Sequence, residues 1–480
     1  MKILYAASEA APFCKTGGLA DVAGSLPPAL AKSGVETAVI LPLYQSVREK
    51  FGAQMEYRGY TFIDLSWRHA YCGLFCLCRD GVTWYFLDNE QYFKRPELYG
   101  YADDGERFAF FSRAVVGILP MLEFLPDVIH CNDWQTALIP IYLRDLGMLD
   151  LRLRGIRTVL SIHNIEYQGR FGRETLEDLF GLNCGWADDG TLMMGGGINL
   201  LKGGILCADA VNAVSPTYAR EIQTEHYAHG LDSIMRACSG KLYGILNGID
   251  AQRYDPACDP DLDENFTPGN PGGKARDKRI LQQALDLGEA PDVPLIGMVS
   301  RLVSHKGMDL ICSALEEILS LDVQLVVLGK GDERYEQFFR DASLRHPDCV
   351  AARIAYNEQL GTKIYGGSDL YLMPSLSEPC GLSQMIAMRY GAVPVVRETG
   401  GLKDSVLPYK AESGTGNGFT FRAYDAAALL AAVRGAVDLY RSHPADFRKI
   451  QICNMKTDFS WNRSAARYLR LYGKVTGRLP

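Results

Sequence analysis

The 480 residues carry 50 lysines and arginines against 57 acidic residues, a formal charge of −7 that argues against an extended polyanionic partner such as nucleic acid. A local basic pocket is compatible with that balance. The length exceeds what one hydrophobic core usually organises, so two packed domains with a cleft between them are expected.

The start, MKILYAAS, turns polar and glycine-rich too early for a secretory signal, and no apolar run reaches the roughly 18 residues of a membrane span. Thirteen cysteines are scattered without a repeated framework. A cytoplasmic protein with reduced thiols and no membrane partner is expected, and nothing in the pattern assigns an oligomeric state.

Apolar strand candidates recur near residues 2–7, 35–41, 60–65, 83–87, 127–131 and 157–162, with helical spacing between several of them. That alternation predicts a mostly parallel α/β sheet, with room for antiparallel hairpins around 51–90. In DAVNAVSPTYAREI a further strand ends at Ser215-Pro216 and a helix follows. Glycine, proline and aspartate then interrupt the pattern, placing a domain boundary around 240–255. Beyond it the alternation restarts: PLIGMVS, a helix with Leu310, Ile311, Leu315 and Ile318 on one face, VQLVVLG, another helix, VAARIAY and DLYLMPS. This predicts a second doubly wound domain, with functional loops beyond the carboxyl ends of its strands. The final FSWNRSAARYLRLYG sets Trp461, Ala465, Tyr468, Leu469 and Tyr472 along one helical stripe that needs burial.

Five stretches carry chemistry. In CKTGGLADVAGSLPPAL, Gly17-Gly18 is either a turn or a place where backbone N–H groups and Lys15 approach an anion; the spacing is not GxGxxG, so NAD is not implied. GMVSRLVSHKGMDL places Arg301 and Lys306 at a strand-to-helix transition, where fixed cations can stabilise a leaving phosphate. LSEPCGLSQMIAMRYG offers Glu378 to sugar hydroxyls, backbone donors from Gly381, and Cys380 as a compact contact rather than a nucleophile. VLSIHNIEYQGRF puts His163 and Asn164 directly after a strand. VIHCNDWQTALIP offers Asp133 and Trp134 as a carboxylate beside a stacking face, or as a helix cap and a core aromatic. His226 and His229 share a helical face, but no further ligands accompany them and no metal site is assigned.

In chain order, KTGGLADV, HNIEYQG, LKGGILCADAVNAVSPTYAREI, GILNGID, RLVSHKG, EPCGLSQMIAMRYG and ETGGLKDSV resemble the signatures of bacterial glycogen synthases and plant starch synthases, glycosyltransferase family 5, across almost the whole chain. The resemblance implies a GT-B fold, two Rossmann-like domains facing an inter-domain cleft. It implies an acceptor-side domain over 1–245, a nucleotide-sugar domain over 246–455, and a helix over 456–480 returning toward the first. The implied reaction is retaining transfer of glucose from ADP-glucose to the non-reducing end of an α-1,4-glucan, glycogen or a maltooligosaccharide, releasing ADP without cofactor or metal.

By the same resemblance, Lys15 and Gly18 contact the donor phosphates, and Arg301 and Lys306 stabilise the leaving group. His163 and Asn247 lie near the transferred glucose, and Glu378 binds it. His163, Arg301, Lys306 and Glu378 form the implied catalytic set. Cys380, Gly381, Leu382 and Ser383 line the phosphate and sugar pocket, and Asp21 and Asp133 organise the acceptor side. Three positions depart from the family pattern: Gln135 where His is common, Glu166 where Ala is common, and Ser383 where Thr or Asn is familiar.

Overall fold

The structure, a computed structural model, describes residues 1–147 and 150–478. The chain divides into two units, Met1–Gly248 with Trp461–Pro480, and Ile249–Ser460.

The N-terminal unit is built on twelve strands: β1 (Lys2–Ala6), β2 (Glu36–Pro42), β3 (Glu56–Leu65), β4 (Arg68–Arg79), β5 (Val82–Asp88), β6 (Val128–Asn132), β7 (Arg157–Ile162), β8 (Arg170–Phe171), β9 (Met193–Met194), β10 (Gly197–Asn199), β11 (Ala210–Ala213) and β12 (Leu242–Gly244). Nine of them form one sheet in the order β12-β11-β7-β6-β1-β2-β5-β4-β3, and β8-β10-β9 form a small antiparallel sheet. The central strands read as continuous apolar runs because helices cover both faces; VIHCN of β6 is buried at every position. The β3–β4 and β4–β5 pairings are antiparallel, which gives the 51–90 region the hairpins its sequence allowed. The order reverses at β1: the chain first builds outward through β2 to β5, then returns to place β6 on the other side. Loops leaving the carboxyl ends of β1 and β6 therefore flank a switch point, the usual ligand edge of such a sheet.

The helix Trp461–Thr476 completes this unit. Trp461, Ala465, Tyr468 and Tyr472 are buried as the stripe required, but Leu471 is buried in place of Leu469, which is only half-covered. Leu471 follows Tyr468 by three residues and so stays on the 3.6-residue stripe, whereas Leu469 steps off it. The two tyrosines end in a buried polar network. His130 Nδ1 lies 2.6 Å from the Tyr472 hydroxyl and Nε2 lies 2.7 Å from Ser161 Oγ. Asn212 Nδ2 donates to Ser161 Oγ at 3.1 Å and to the Tyr468 hydroxyl at 2.9 Å. Strands β6, β7 and β11 are thereby joined to the C-terminal helix.

The second unit carries a single parallel sheet of β13 (Leu295–Val299), β14 (Gln324–Leu328), β15 (Val350–Arg353), β16 (Leu370–Met373), β17 (Val393–Arg397) and β18 (Phe419–Phe421), ordered β15-β14-β13-β16-β17-β18. Its core joins strand residues such as Met298, Val327 and Leu372 to the Met308–Leu319 helix through Leu310, Ile311, Leu315 and Ile318, the face its spacing marked. The switch point falls between β13 and β16. All thirteen cysteines are free thiols, and among the described residues no helix is long and apolar enough to cross a membrane.

Two stability predictions follow from the buried network. Burial pushes the His130 imidazole down to about 3, with the neighbouring His163 adding to the fall. The folded state therefore keeps the ring neutral while the unfolded chain protonates it below about 6.5. The stabilisation is complete above that value and is lost as pH falls toward 3, at about 1.4 kcal/mol per pH unit for this ring. Denaturant midpoints measured between pH 7 and 5 should fall on acidification, and His130→Asn should flatten the slope; an unaltered slope would refute the assignment. Tyr472→Phe leaves a buried ring nitrogen without its partner and should cost about 1–3 kcal/mol at pH 7 by the same measurement.

Candidate functional site

The sequence-marked residues fall into two groups, one in each unit, and both lie beyond the carboxyl ends of parallel strands. In the N-terminal unit the loop after β1 carries Lys15, and Gly18 opens the helix Gly18–Lys32. Lys15 Nζ lies 2.8 Å from Asp21 Oδ1, one turn into that helix, so these two residues form one ion pair with both side chains partly exposed. A Cβ built at Gly18 meets no heavy atom within 4 Å; packing within the protein does not require glycine there.

The loop is held from beneath by Glu9, a residue not singled out in the sequence. Glu9 is 3% exposed, and its Oε2 accepts from the Thr16 backbone N–H at 2.6 Å and from Thr16 Oγ1 at 2.7 Å. Burial pushes its carboxyl up from the ordinary range, against the pull of the Thr16 and Gly17 donors. An acidic residue only three positions past the apolar run KILYA was the available signal.

Beyond β6, Asp133 adopts φ 54° and ψ −171°, a left-handed conformation that a side chain rarely takes and that costs on the order of 1–3 kcal/mol. The strain is offset by hydrogen bonds: its N–H donates to the Ser161 carbonyl at 2.9 Å, and its Oδ1 accepts from the backbone N–H of His163 at 2.7 Å and of Asn164 at 3.4 Å. Burial pushes the carboxyl up to about 7 against those two donors, and repulsion from Glu9 adds to the rise.

His163 itself lies past the end of β7, with Nε2 2.9 Å from Asn132 Oδ1. The Asn132 amide nitrogen donates to the Ala6 carbonyl at 2.9 Å, which leaves Oδ1 as the acceptor; that oxygen also accepts from the Tyr5 hydroxyl at 2.9 Å. His163 must therefore donate from Nε2. Burial holds its pKa down to about 3, so the ring is neutral and Nδ1 presents a lone pair. Asn132 was overlooked in the sequence because it reads as one more residue of a buried strand.

Trp134 is half-buried. Its ring packs against Phe108 and Phe171, with centroids 5.4 and 6.1 Å away, and a Cβ at Gly169 would come within 2.6 Å of it. Asn164 Oδ1 accepts from the Glu166 N–H and shapes the turn, while the His229 carbonyl accepts from Gln168 and Arg170. Asn247, beyond β12, is buried, and its Oδ1 has no hydrogen-bond partner among the described residues. The same is true of Gln135 Oε1.

In the second unit Arg301 and Lys306 follow β13, and Glu378 follows β16, on the two sides of the switch point. Arg301 is exposed. Lys306 Nζ reaches both oxygens of Glu378, at 2.8 and 2.6 Å, and Ser375 Oγ donates to Oε2 at 3.0 Å. Glu378 is 7% exposed, so this carboxylate is desolvated and needs its cation. Gly307 makes the approach possible: it sits at φ 79°, and a Cβ there would lie 2.2 Å from the Pro374 carbonyl oxygen.

Residues 379–382 then turn into the helix Ser383–Arg389. Gln384 Nε2 donates to the carbonyls of Cys380 and Gly381 at 3.2 and 2.9 Å, fastening the turn to the helix it starts. Cys380 is buried, and Ser383 Oγ lies 3.3 Å from Met373 Sδ. Each unit thus offers a cation held by a carboxylate beside a turn into a helix, an arrangement that can receive phosphate oxygens and sugar hydroxyls.

Comparison with known proteins identifies the family. The starch synthase catalytic domain family matches residues 2–237, and the glycosyl transferases group 1 family matches residues 282–450. A glycogen synthase of Lactobacillus acidophilus is 47% identical over 99% of this chain and 100% of its own length. One from Geobacillus stearothermophilus is 46% identical over 99% and 98%. Among solved structures, the catalytic domain of starch synthase IV from Arabidopsis thaliana, bound to ADP and acarbose, matches with a TM-score of 0.91 and 34% identity over 99% of both chains. A sucrose-phosphate synthase of Thermosynechococcus elongatus, 17% identical with a TM-score of 0.61, shares the fold. With near-complete coverage at this identity, and with two Rossmann-like units of the GT-B pattern, the chain belongs to the glycogen synthase family of glycosyltransferases.

Proposed function

We propose that this protein transfers glucose from ADP-glucose to the non-reducing end of an α-1,4-glucan, glycogen or a maltooligosaccharide, with retention at the anomeric carbon and release of ADP. The observation that carries the reading is the Lys306–Glu378 pair at the carboxyl ends of β13 and β16. Lys306 spends two of its three N–H bonds on Glu378, and the third is available to a phosphate oxygen. Arg301, on the same loop, supplies a second cation. Two fixed positive charges stabilise the negative charge that develops on departing ADP without the reorganisation that water would need. The 34% identical starch synthase bound to ADP and acarbose supports the choice of donor nucleotide and saccharide.

The remaining assignments follow the chemistry of each group. Glu378 binds glucose hydroxyls, and the backbone of Gly381 and Leu382, with Cys380 and Ser383, lines the sugar and phosphate. Lys15 and Gly18 contact the donor phosphates, the ammonium exchanging Asp21 for phosphate oxygen. Neutral His163 accepts a glucose hydroxyl hydrogen bond through Nδ1, and its lowered basicity argues against service as a general acid near neutral pH. Asn247 contacts the same sugar through its unpartnered oxygen, and Asp21 and Asp133 order the acceptor side. In the transfer step the bond from C1 to phosphate oxygen breaks while the acceptor hydroxyl oxygen bonds C1 from the same face, and the leaving phosphate takes the hydroxyl proton. The protein supplies cationic charge itself, so no metal ion is required.

Two measurements check this reading. Purified protein given labelled ADP-glucose and a defined maltooligosaccharide in EDTA should lengthen the chain by α-1,4-linked glucose and release ADP. No elongation by a folded enzyme refutes the proposal, and a preference for UDP-glucose refutes the donor assignment. Arg301→Ala and Lys306→Ala should each lower kcat/KM by about 10²–10³-fold while leaving glucan binding nearly unchanged. Equal losses in catalysis and glucan binding would refute the leaving-group role.

A further inference from the structure

The helix Gly272–Ala284 of the second unit sends one ammonium inward. Lys274 is 4% exposed, and its Nζ donates to three backbone carbonyls: Tyr365 at 3.3 Å, Gly366 at 2.8 Å and Tyr390 at 2.9 Å. An ammonium has three N–H bonds, so its donors are fully used. Tyr365 and Gly366 lie in the last turn of the helix Glu358–Gly367, and Tyr390 caps the helix Ser383–Arg389. The last carbonyls of a helix lack partners within it and carry partial negative charge. Burial pushes the Lys274 ammonium down to about 7 while the three carbonyls around it favour the protonated form, so one buried side chain closes two helix ends at once. Its acidic neighbours are engaged elsewhere: Asp369 Oδ2 lies 2.7 Å from Lys278 Nζ, and Asp277 Oδ1 accepts from the Glu264 N–H at 2.9 Å.

The second of those helices matters most. Ser383–Arg389 has seven residues and spans about 10 Å, too short to hold itself in place by its own hydrogen bonds. Its position comes from the burial of Met385, Ile386, Ala387 and Met388 and from what holds its ends. At the start, Gln384 Nε2 binds the Cys380 and Gly381 carbonyls and Ser405 Oγ. At the finish, Arg389 Nη1 donates to the Met455 carbonyl at 3.1 Å, and Lys274 holds the Tyr390 carbonyl. Lys274 hydrogen-bonds this helix end to the Glu358–Gly367 helix, beside the Tyr365 and Tyr390 rings, whose centroids lie 6.3 Å apart.

We infer that Lys274 is a positioning residue for the donor side of the reaction: by clamping the Tyr390 carbonyl to the end of the Glu358–Gly367 helix, it fixes the helix that begins at Ser383, and with it the Gly381–Leu382 backbone. This rests on the reading of residues 378–383 as donor contacts. Lys274 is buried with its three donors on backbone carbonyls, so its effect travels through the short helix.

Lys274→Met retains the length and apolar stem while removing all three donors. The expected result is a rise of about tenfold in KM for ADP-glucose, with KM for a maltooligosaccharide within about twofold of the wild type. Lys363→Ala is the control. It breaks the Lys363–Asp263 pair on the same Glu358–Gly367 helix without reaching the Ser383–Arg389 helix, and should leave both KM values unchanged. Should Lys274→Met fail to fold, Lys274→Gln, whose amide retains two N–H donors, should give a smaller rise in the same donor KM. A folded variant with unchanged donor KM, or with both KM values raised together, overturns the inference and leaves Lys274 a general stabiliser. Absence of transfer from ADP-glucose by the wild type would instead refute the donor reading itself.

Discussion

Parallel strands joined by crossovers all finish at the same edge of their sheet, and in both units that edge gathers the charged and polar residues. In the N-terminal unit Lys15 follows β1, Asp133 follows β6, His163 follows β7 and Asn247 follows β12. In the second unit Arg301 and Lys306 follow β13 while Glu378 follows β16. The reversal of strand order at β1 and between β13 and β16 matters further, because adjacent loops there turn to opposite faces and leave a crevice. These residues are therefore brought to one edge of each sheet from separate segments of the chain by a rule of sheet topology.

Placing charge at such an edge has an electrostatic cost that the structure answers with local partners. Glu378 is nearly buried and takes Lys306 in a two-oxygen contact with a serine hydroxyl added. Asp133 is offset by two backbone donors, and Glu9 by the Thr16 and Gly17 donors. At Glu9 and Asp133 desolvation raises the carboxyl's proton affinity and the partners limit the rise. The strained backbone at Asp133 belongs to the same account, since in that conformation its carboxylate meets the N–H groups beyond β7 while its own N–H reaches Ser161.

How much of this was legible follows from what each residue's signal depends on. Strands were readable because a doubly covered sheet demands unbroken apolar runs, and KILYA, VLSI and QLVVL provide them. The strand-terminal residues His163, Arg301 and Glu378 stood out because polarity changes abruptly where such a run ends. Glu9 and Asn132 escaped because their roles are set by partners in three dimensions: Glu9 by a loop seven residues on, Asn132 by the β1 residues Tyr5 and Ala6. Lys274 was invisible for a sharper reason. Lysine in a polar helix normally marks the solvent face, and only the convergence of two helix ends far along the chain draws it inward. Trp134 kept both of its readings in the sequence, and the structure leaves it half-buried with its ring against Phe108 and Phe171.

The two carboxylate-held cations differ in a way that bears on what they are for. Lys15 and Asp21 are partly exposed, so their pair contributes about 0–1 kcal/mol and is easily exchanged for another anion. Lys306 and Glu378 are far less accessible, and removing either partner would leave a charge stranded. A cation that must release its partner to meet a ligand is better placed in the first setting. One that must hold a fixed charge while a negative charge grows beside it is better placed in the second. On the proposed function, the depth at which each pair sits separates two tasks, recruitment at Lys15 and fixed electrostatic support at Lys306, that residue type alone does not distinguish.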